Sequence, residues 1–137
     1  MGINDLIGSA HGGFPKEIGG NLGRAQVVNN FSATTIDCLA TRREVFQTAG
    51  GFDADHFPNK FFDVDFCLGI SEKNRRIVWT PYAELIKIVE RKMLNLQKQP
   101  TAAERDFFKR KWSKSIERDP FYNPNFSRRR ETFMIDV

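Results

Sequence analysis

Through the first 23 residues, glycine recurs at Gly8, Gly12, Gly13, Gly19, Gly20 and Gly23, and the apolar positions keep neither a helical nor a strand period. This stretch reads as a long irregular loop. It matches no phosphate-binding fingerprint, because no strand precedes the glycines and no GK[ST] follows them. A loop of that length points to a functional lid, disorder or a truncated neighbour. Residues 31–40, passing through Thr34, Thr35, Ile36, Cys38 and Leu39, predict a buried strand. Thr41 and Glu44 have capping-box spacing ahead of Val45, Phe46 and Ala49, which predicts a short helix stopped by Gly50 and Gly51. A second helix is expected from about Asp63, with Val64, Cys67, Leu68 and Ile70 roughly on one face. Residues 76–80 predict a strand closed by Pro81, and residues 83–89 a further extended run. Thr101 and Glu104 repeat the capping-box spacing and open a last helix, where Phe107, Phe108, Trp112 and Ile116 recur at three- and four-residue steps. An irregular tail with Pro120 and Pro124 follows. Three segments result: 1–30, 31–100 and 101–137.

With 137 residues the chain is long enough for one modest core. Its 13 phenylalanines supply large buried areas for that core, or an exposed aromatic surface if the chain belongs to a larger domain. The net charge of +4 is concentrated late, in Lys109, Arg110, Lys111, Lys114 and the triplet Arg128, Arg129 and Arg130. A solvated helix face and a basic tail account for it, although charge alone would also draw the chain to phosphate-rich ligands or to peripheral contact with an anionic membrane. No nucleic-acid motif accompanies it, so no nucleic-acid partner is expected. Cys38 and Cys67 sit in apolar runs without ligand-spaced partners, which predicts buried free thiols and no metal site. No apolar run is long enough to span a membrane and no leader pattern opens the chain, so a cytoplasmic location is the expectation.

The order of motifs adds to this. Residues 38–46 (CLATRREVF) precede Gly50-Gly51-Phe52-Asp53. The run Asp63-Val64-Asp65-Phe66-Cys67-Leu68 comes next, then Arg76-Ile77-Val78-Trp79-Thr80-Pro81-Tyr82-Ala83, and the tail reads Asp119-Pro120-Phe121-Tyr122-Asn123-Pro124-Asn125. This order resembles the C-terminal, acceptor-side half of inverting family 2 glycosyltransferases of the GT-A fold, of the kind that builds bacterial surface polysaccharides. The resemblance implies an α/β fold: part of a GT-A sheet with flanking helices, then a C-terminal helix and tail. It implies transfer from a nucleotide-sugar donor to a polysaccharide or lipid-linked acceptor, with Asp63 as general base. A sugar hydroxyl is a poor nucleophile until its proton is removed, and a positioned carboxylate can remove it. Gly51, Phe52, Asp53 and Trp79 would border the acceptor, and Lys87 would face the donor diphosphate. A divalent metal, Mg or Mn, is implied for the parent enzyme and none for this chain. Each residue also has a plainer account: Asp63 as a helix-terminal carboxylate, the glycines as a helix stop, Trp79 as core, and Asp65 as a surface or second carboxylate.

The chain departs from the family pattern in three places. Phe62 stands where Glu or Asn is common before the base, and Lys87 and Ile88 stand where relatives carry histidines. A protonated lysine neutralises a diphosphate as a point charge but does not ligate a metal. Upstream of Phe31 there is no alternation of strands and helices and no Asp-X-Asp. The chain is therefore expected to hold about half of a catalytic domain, to have little activity alone and to self-associate through an incomplete sheet. A non-catalytic binding or assembly module of the same ancestry is the alternative.

Overall fold

The computed structural model describes residues 6–12, 15, 17–88, 99–129 and 135. Among these the chain is a mixed α/β fold, with a two-stranded antiparallel sheet and three α-helices. In order they are β1 (Asn29–Phe31), α1 (Arg43–Ala49), α2 (Phe62–Glu72), β2 (Ile77–Trp79) and α3 (Ala102–Glu117). Two 3-10 turns, Asn21–Gln26 and Ile36–Cys38, lie between residues 20 and 39. β1 and β2 pair with Asn29 opposite Trp79 and Phe31 opposite Ile77.

The helix α2 is the centre of the molecule. Val64, Asp65, Phe66, Cys67, Leu68 and Ile70 are all buried, so it is covered on most of its circumference and not along one stripe. Val64 and Leu68 pack with Phe57 and Phe61 against Phe108, Trp112 and Ile116 of α3. Phe66, Cys67 and Ile70 pack on Ile77 of β2, with Val45, Phe46 and Ala49 of α1 against them. Both faces of α2 therefore carry core.

The last helix begins as its sequence predicts. The Thr101 side chain accepts from the Glu104 N–H at 3.1 Å, and a Glu104 carboxylate oxygen accepts from the Thr101 N–H at 2.7 Å. Glu104 also reaches out of the helix, accepting from the backbone N–H of Asn59 at 2.7 Å and of Lys60 at 3.0 Å. Burial alone would raise its pKa. The hydrogen bonds from Thr101, Lys60 and Asn59 outweigh that and hold it at about 2. Gly50 closes α1 in the left-handed conformation (φ 93°), as expected of a glycine stop.

Five expectations are corrected. The strand expected over residues 31–40 is confined to Asn29–Phe31, and Ile36–Cys38 forms a 3-10 turn instead. Among the described residues the apolar run beyond Phe31 meets no partner strand, and the Ile36 N–H is taken by the Asp63 carboxylate at 2.9 Å. Thr41 does not cap α1; Arg42 is its N-cap and no side chain bonds there. Cys38 is exposed, while Cys67 is buried and its thiol pKa is raised by burial. Asp65 is buried, not superficial. It accepts from the Trp112 indole N–H at 2.7 Å and pairs with Lys111 at 2.7 Å, joining α2 to α3. Residues 83–88 form no strand, and Val89 and Arg130 lie outside the described residues.

No helix among the described residues is long and apolar enough to cross a membrane. Part of the late positive charge is structural: Lys111 neutralises Asp65, and the Arg128 guanidinium donates to the Ile116 carbonyl near the end of α3 at 3.2 Å.

Candidate functional site

Asp63 occupies the first turn of α2, whose N-cap, Phe61, adopts the left-handed conformation (φ 72°). For a bulky side chain that conformation costs about 1–2 kcal/mol. It is sustained by the burial of the Phe61 ring, stacked on Phe108 with centroids 4.7 Å apart. Asp63 Oδ1 accepts from the Val64 N–H and Oδ2 from the Ile36 N–H, each at 2.9 Å. The carboxylate thus ties the start of α2 to the turn Ile36–Cys38. A carboxylate has about four acceptor positions, so it retains capacity beyond these two bonds. Lys87 reaches the same turn, with Nζ 2.6 Å from Asp37 Oδ1, and both of these side chains are more than half exposed.

The turn stands at the margin of a cleft of about 510 Å³. Trp79, Phe31, Ser32, Thr34 and Thr35 line it, together with Val64, the residue after Asp63. Phe31 and Trp79 meet edge to face across the β1–β2 pair, 6.2 Å between centroids. Trp79 is therefore a wall residue of the cleft and only partly buried. Asp63 and Lys87 do not line the cleft themselves.

The predicted acceptor loop lies elsewhere. Phe52 packs against Phe46, Phe62 and Phe66 at centroid distances of 5.0, 5.4 and 5.5 Å. Gly51 has φ 73°, and a Cβ there would stand 3.3 Å from the Phe46 ring, which explains the glycine structurally. Asp53 lies 2.9 Å from His56 Nδ1 and accepts from the His56 N–H at 3.1 Å. Burial would raise the Asp53 pKa, but those hydrogen bonds and the His56 and Lys111 charges bring it below its ordinary value. The His56 ring stacks on Phe107, centroids 4.1 Å apart. The structure thus brings Trp79 close to the neighbours of Asp63, and it does not bring Gly51, Phe52 or Asp53 to the cleft.

The remaining wall was not legible as a site. His11, with residues 7–10, comes from the glycine-rich start, and Asp119, Phe121 and Tyr122 come from the tail. Asp119 Oδ1 accepts from Ser32 Oγ at 2.5 Å and from the Phe121 N–H at 2.9 Å, which holds the tail against β1. The Tyr122 hydroxyl donates to the Ser127 carbonyl at 2.6 Å. His11 packs against Gly20, where φ is 69° and an added Cβ would lie 2.6 Å from the imidazole. The signal that could have found this wall is the tail motif Asp119-Pro120-Phe121-Tyr122.

Asp63 and Asp65 do not act as a pair. Asp63 is bonded to the Ile36 amide, whereas Asp65 faces Trp112 and Lys111. Among the described residues no group of three or more His, Cys, Asp or Glu side chains is arranged to hold a metal ion.

No family model matches the chain, and no solved structure matches it. The chain is similar to the uncharacterized protein y4gI of Sinorhizobium fredii (strain NBRC 101917 / NGR234), with 32% identity over 140 aligned positions that cover 98% of this chain. The chain spans 15% of the length of that relative.

Proposed function

We propose that this chain is the acceptor-side part of an inverting, nucleotide-sugar-dependent glycosyltransferase of the GT-A fold, with Asp63 as the general base. The observation that carries the reading is an aromatic and hydroxyl-lined cleft whose wall includes Trp79 and runs up to Val64, beside that carboxylate. In the reaction an acceptor hydroxyl oxygen attacks the anomeric carbon of the donor sugar. Its proton passes to the Asp63 carboxylate as the nucleotide diphosphate leaves from the opposite face. Attack from that face inverts the configuration.

The described residues of this chain do not fit the Mg or Mn ion that such enzymes use. Asp63 and Asp65 diverge, and Lys87 pairs with Asp37. In this reading the ion and the nucleotide belong to a donor-binding half, and Lys87 contributes charge toward the diphosphate after leaving Asp37. The polysaccharide or lipid-linked acceptor, and peripheral contact with a membrane through the exposed basic side chains of α3, belong to the same proposal.

A second reading, a non-catalytic binding module of the same ancestry, is favoured by the bonding of Asp63. Both of its oxygens accept backbone N–H groups, so it also serves as a tether. Asp63→Asn in the intact protein separates the two. If Asp63 is the base, sugar transfer falls by about 10²–10⁴-fold while nucleotide binding is retained. Unchanged transfer rejects the role. Glycan binding without transfer in the unaltered protein selects the module.

A further inference from the structure

A groove of about 700 Å³ opens where Asp55 and His56 meet the first half of α3, and it shares no lining residue with the cleft beside Trp79. His56 and Phe107 form part of its wall, stacked with centroids 4.1 Å apart and ring planes 12° from parallel. Asp53 fixes the imidazole in that pose. It accepts from the His56 backbone N–H at 3.1 Å, and both of its carboxylate oxygens lie 2.9 Å from Nδ1. One face of the imidazole is thus covered by Phe107 and one edge is held by Asp53, while 52% of the side chain is exposed. That exposure falls on the second ring face and the Nε2 edge, so the stack ends in a platform open to a further ring.

The charges around the platform are of both signs. Asp55 and Asp106 line the groove together with Lys109 and Arg110, and among the described residues no ion pair joins the two sets. The Arg110 guanidinium stands 5.9 Å from the Phe107 centroid, beside the stack. A simple anion meets two carboxylates here, and a simple cation meets the lysine and the arginine. A ligand that satisfies the whole lining carries a planar ring for the imidazole, hydroxyls for the carboxylates and an anionic group for Lys109 and Arg110. A nucleoside monophosphate has all three. Its base stacks on aromatic faces, its ribose hydroxyls donate to carboxylates, and its phosphate pairs with arginine and lysine.

We propose that this groove binds a nucleoside monophosphate, with the base on the open face of His56. Because Asp53 and Phe107 already hold the imidazole, binding does not have to immobilise it. The site is independent of Asp63 and of the sugar-transfer reading, and Asp53, expected from the sequence to border an acceptor, serves here to orient the platform.

The test is an NMR titration of the full chain near neutral pH with AMP, adenosine, ribose 5-phosphate and inorganic phosphate. The ring signals of His56 and Phe107 and the backbone of residues 53–57 and 103–110 report binding. AMP should saturate with a Kd of about 1 mM, the range of a small ligand in an open site. Ribose 5-phosphate lacks the base and adenosine lacks the phosphate, and each should bind at least about fivefold more weakly. His56→Ala should weaken AMP about tenfold and leave ribose 5-phosphate unchanged. Arg110→Ala, at an exposed position outside the core, should weaken AMP about fivefold and leave adenosine unchanged. It is the second variant should His56→Ala unfold. The proposal is overturned if AMP does not saturate these signals by about 20 mM, or if inorganic phosphate binds as tightly as AMP. It is equally overturned if His56→Ala weakens AMP and ribose 5-phosphate alike. Binding is read here without turnover, so the outcome for Asp63 as base leaves this result untouched.

Discussion

Glu104 offers the sharpest physical test of the fold. Its side chain is 1% exposed, and its carboxylate receives four hydrogen bonds, from the N–H groups of Thr101, Asn59 and Lys60 and from the Asn59 side chain. These interactions hold its pKa at about 2, against an ordinary value of 4.5. At about 1.4 kcal/mol per pKa unit, that difference is worth about 3 kcal/mol of folding free energy. Because the folded-state pKa is depressed, the contribution is complete above pH 4.5 and is lost as pH falls from there to about 2. Glu104→Gln preserves shape but turns an amide NH2 toward either the Thr101 N–H and the Asn59 side-chain amide or the Asn59 and Lys60 N–H groups. The variant should lose about 2–3 kcal/mol at pH 7. It should also show a flatter decline in stability between pH 5 and pH 2 than the parent chain. Urea unfolding followed through Trp112 fluorescence across that pH range measures both. Equal midpoints at pH 7, or parallel declines below pH 5, would refute the reasoning.

Three further outcomes are expected. Asp65→Ala should destabilise by about 2–3 kcal/mol, because it leaves the Trp112 indole N–H buried without its acceptor and Lys111 without its pair; urea unfolding reads it, and a loss under about 0.5 kcal/mol would contradict the assignment. Gly69→Ala should stabilise by about 0.5–1 kcal/mol, since Gly69 lies inside α2 and a Cβ there meets nothing within 4 Å. A fall in melting temperature would count against it. The two-stranded sheet leaves an edge on each strand, and Val78, Leu85, Ile86 and Ile88 are exposed. The chain should therefore self-associate with rising concentration in sedimentation experiments, and Val78→Lys with Ile86→Lys should reduce this; a strictly monomeric parent chain would overturn the expectation.

What could be read from the amino-acid order alone was what is encoded within a few residues. The Thr101–Glu104 box, the Gly50 stop, the helix starting near Asp63 and the short strand Ile77–Trp79 are of this kind. Their signals are caps, breakers and periods, each closed by neighbours in sequence. The misread run after Phe31 shows the limit: its β-prone residues turn into a 3-10 segment, and Asp63, 27 residues on, takes the Ile36 amide. Asp65 has the same spelling as a surface carboxylate, and only the docking of α3, 47 residues away, made it a buried hub. The cleft depends on still longer reach. Ser32 and Asp119 are 87 residues apart, and their bond brings an irregular tail onto β1 beside a glycine-rich start with no period of its own. Local chemistry determined the elements; the close packing around α2 decided which side chains face one another, because such contacts leave no trace in the order of residues.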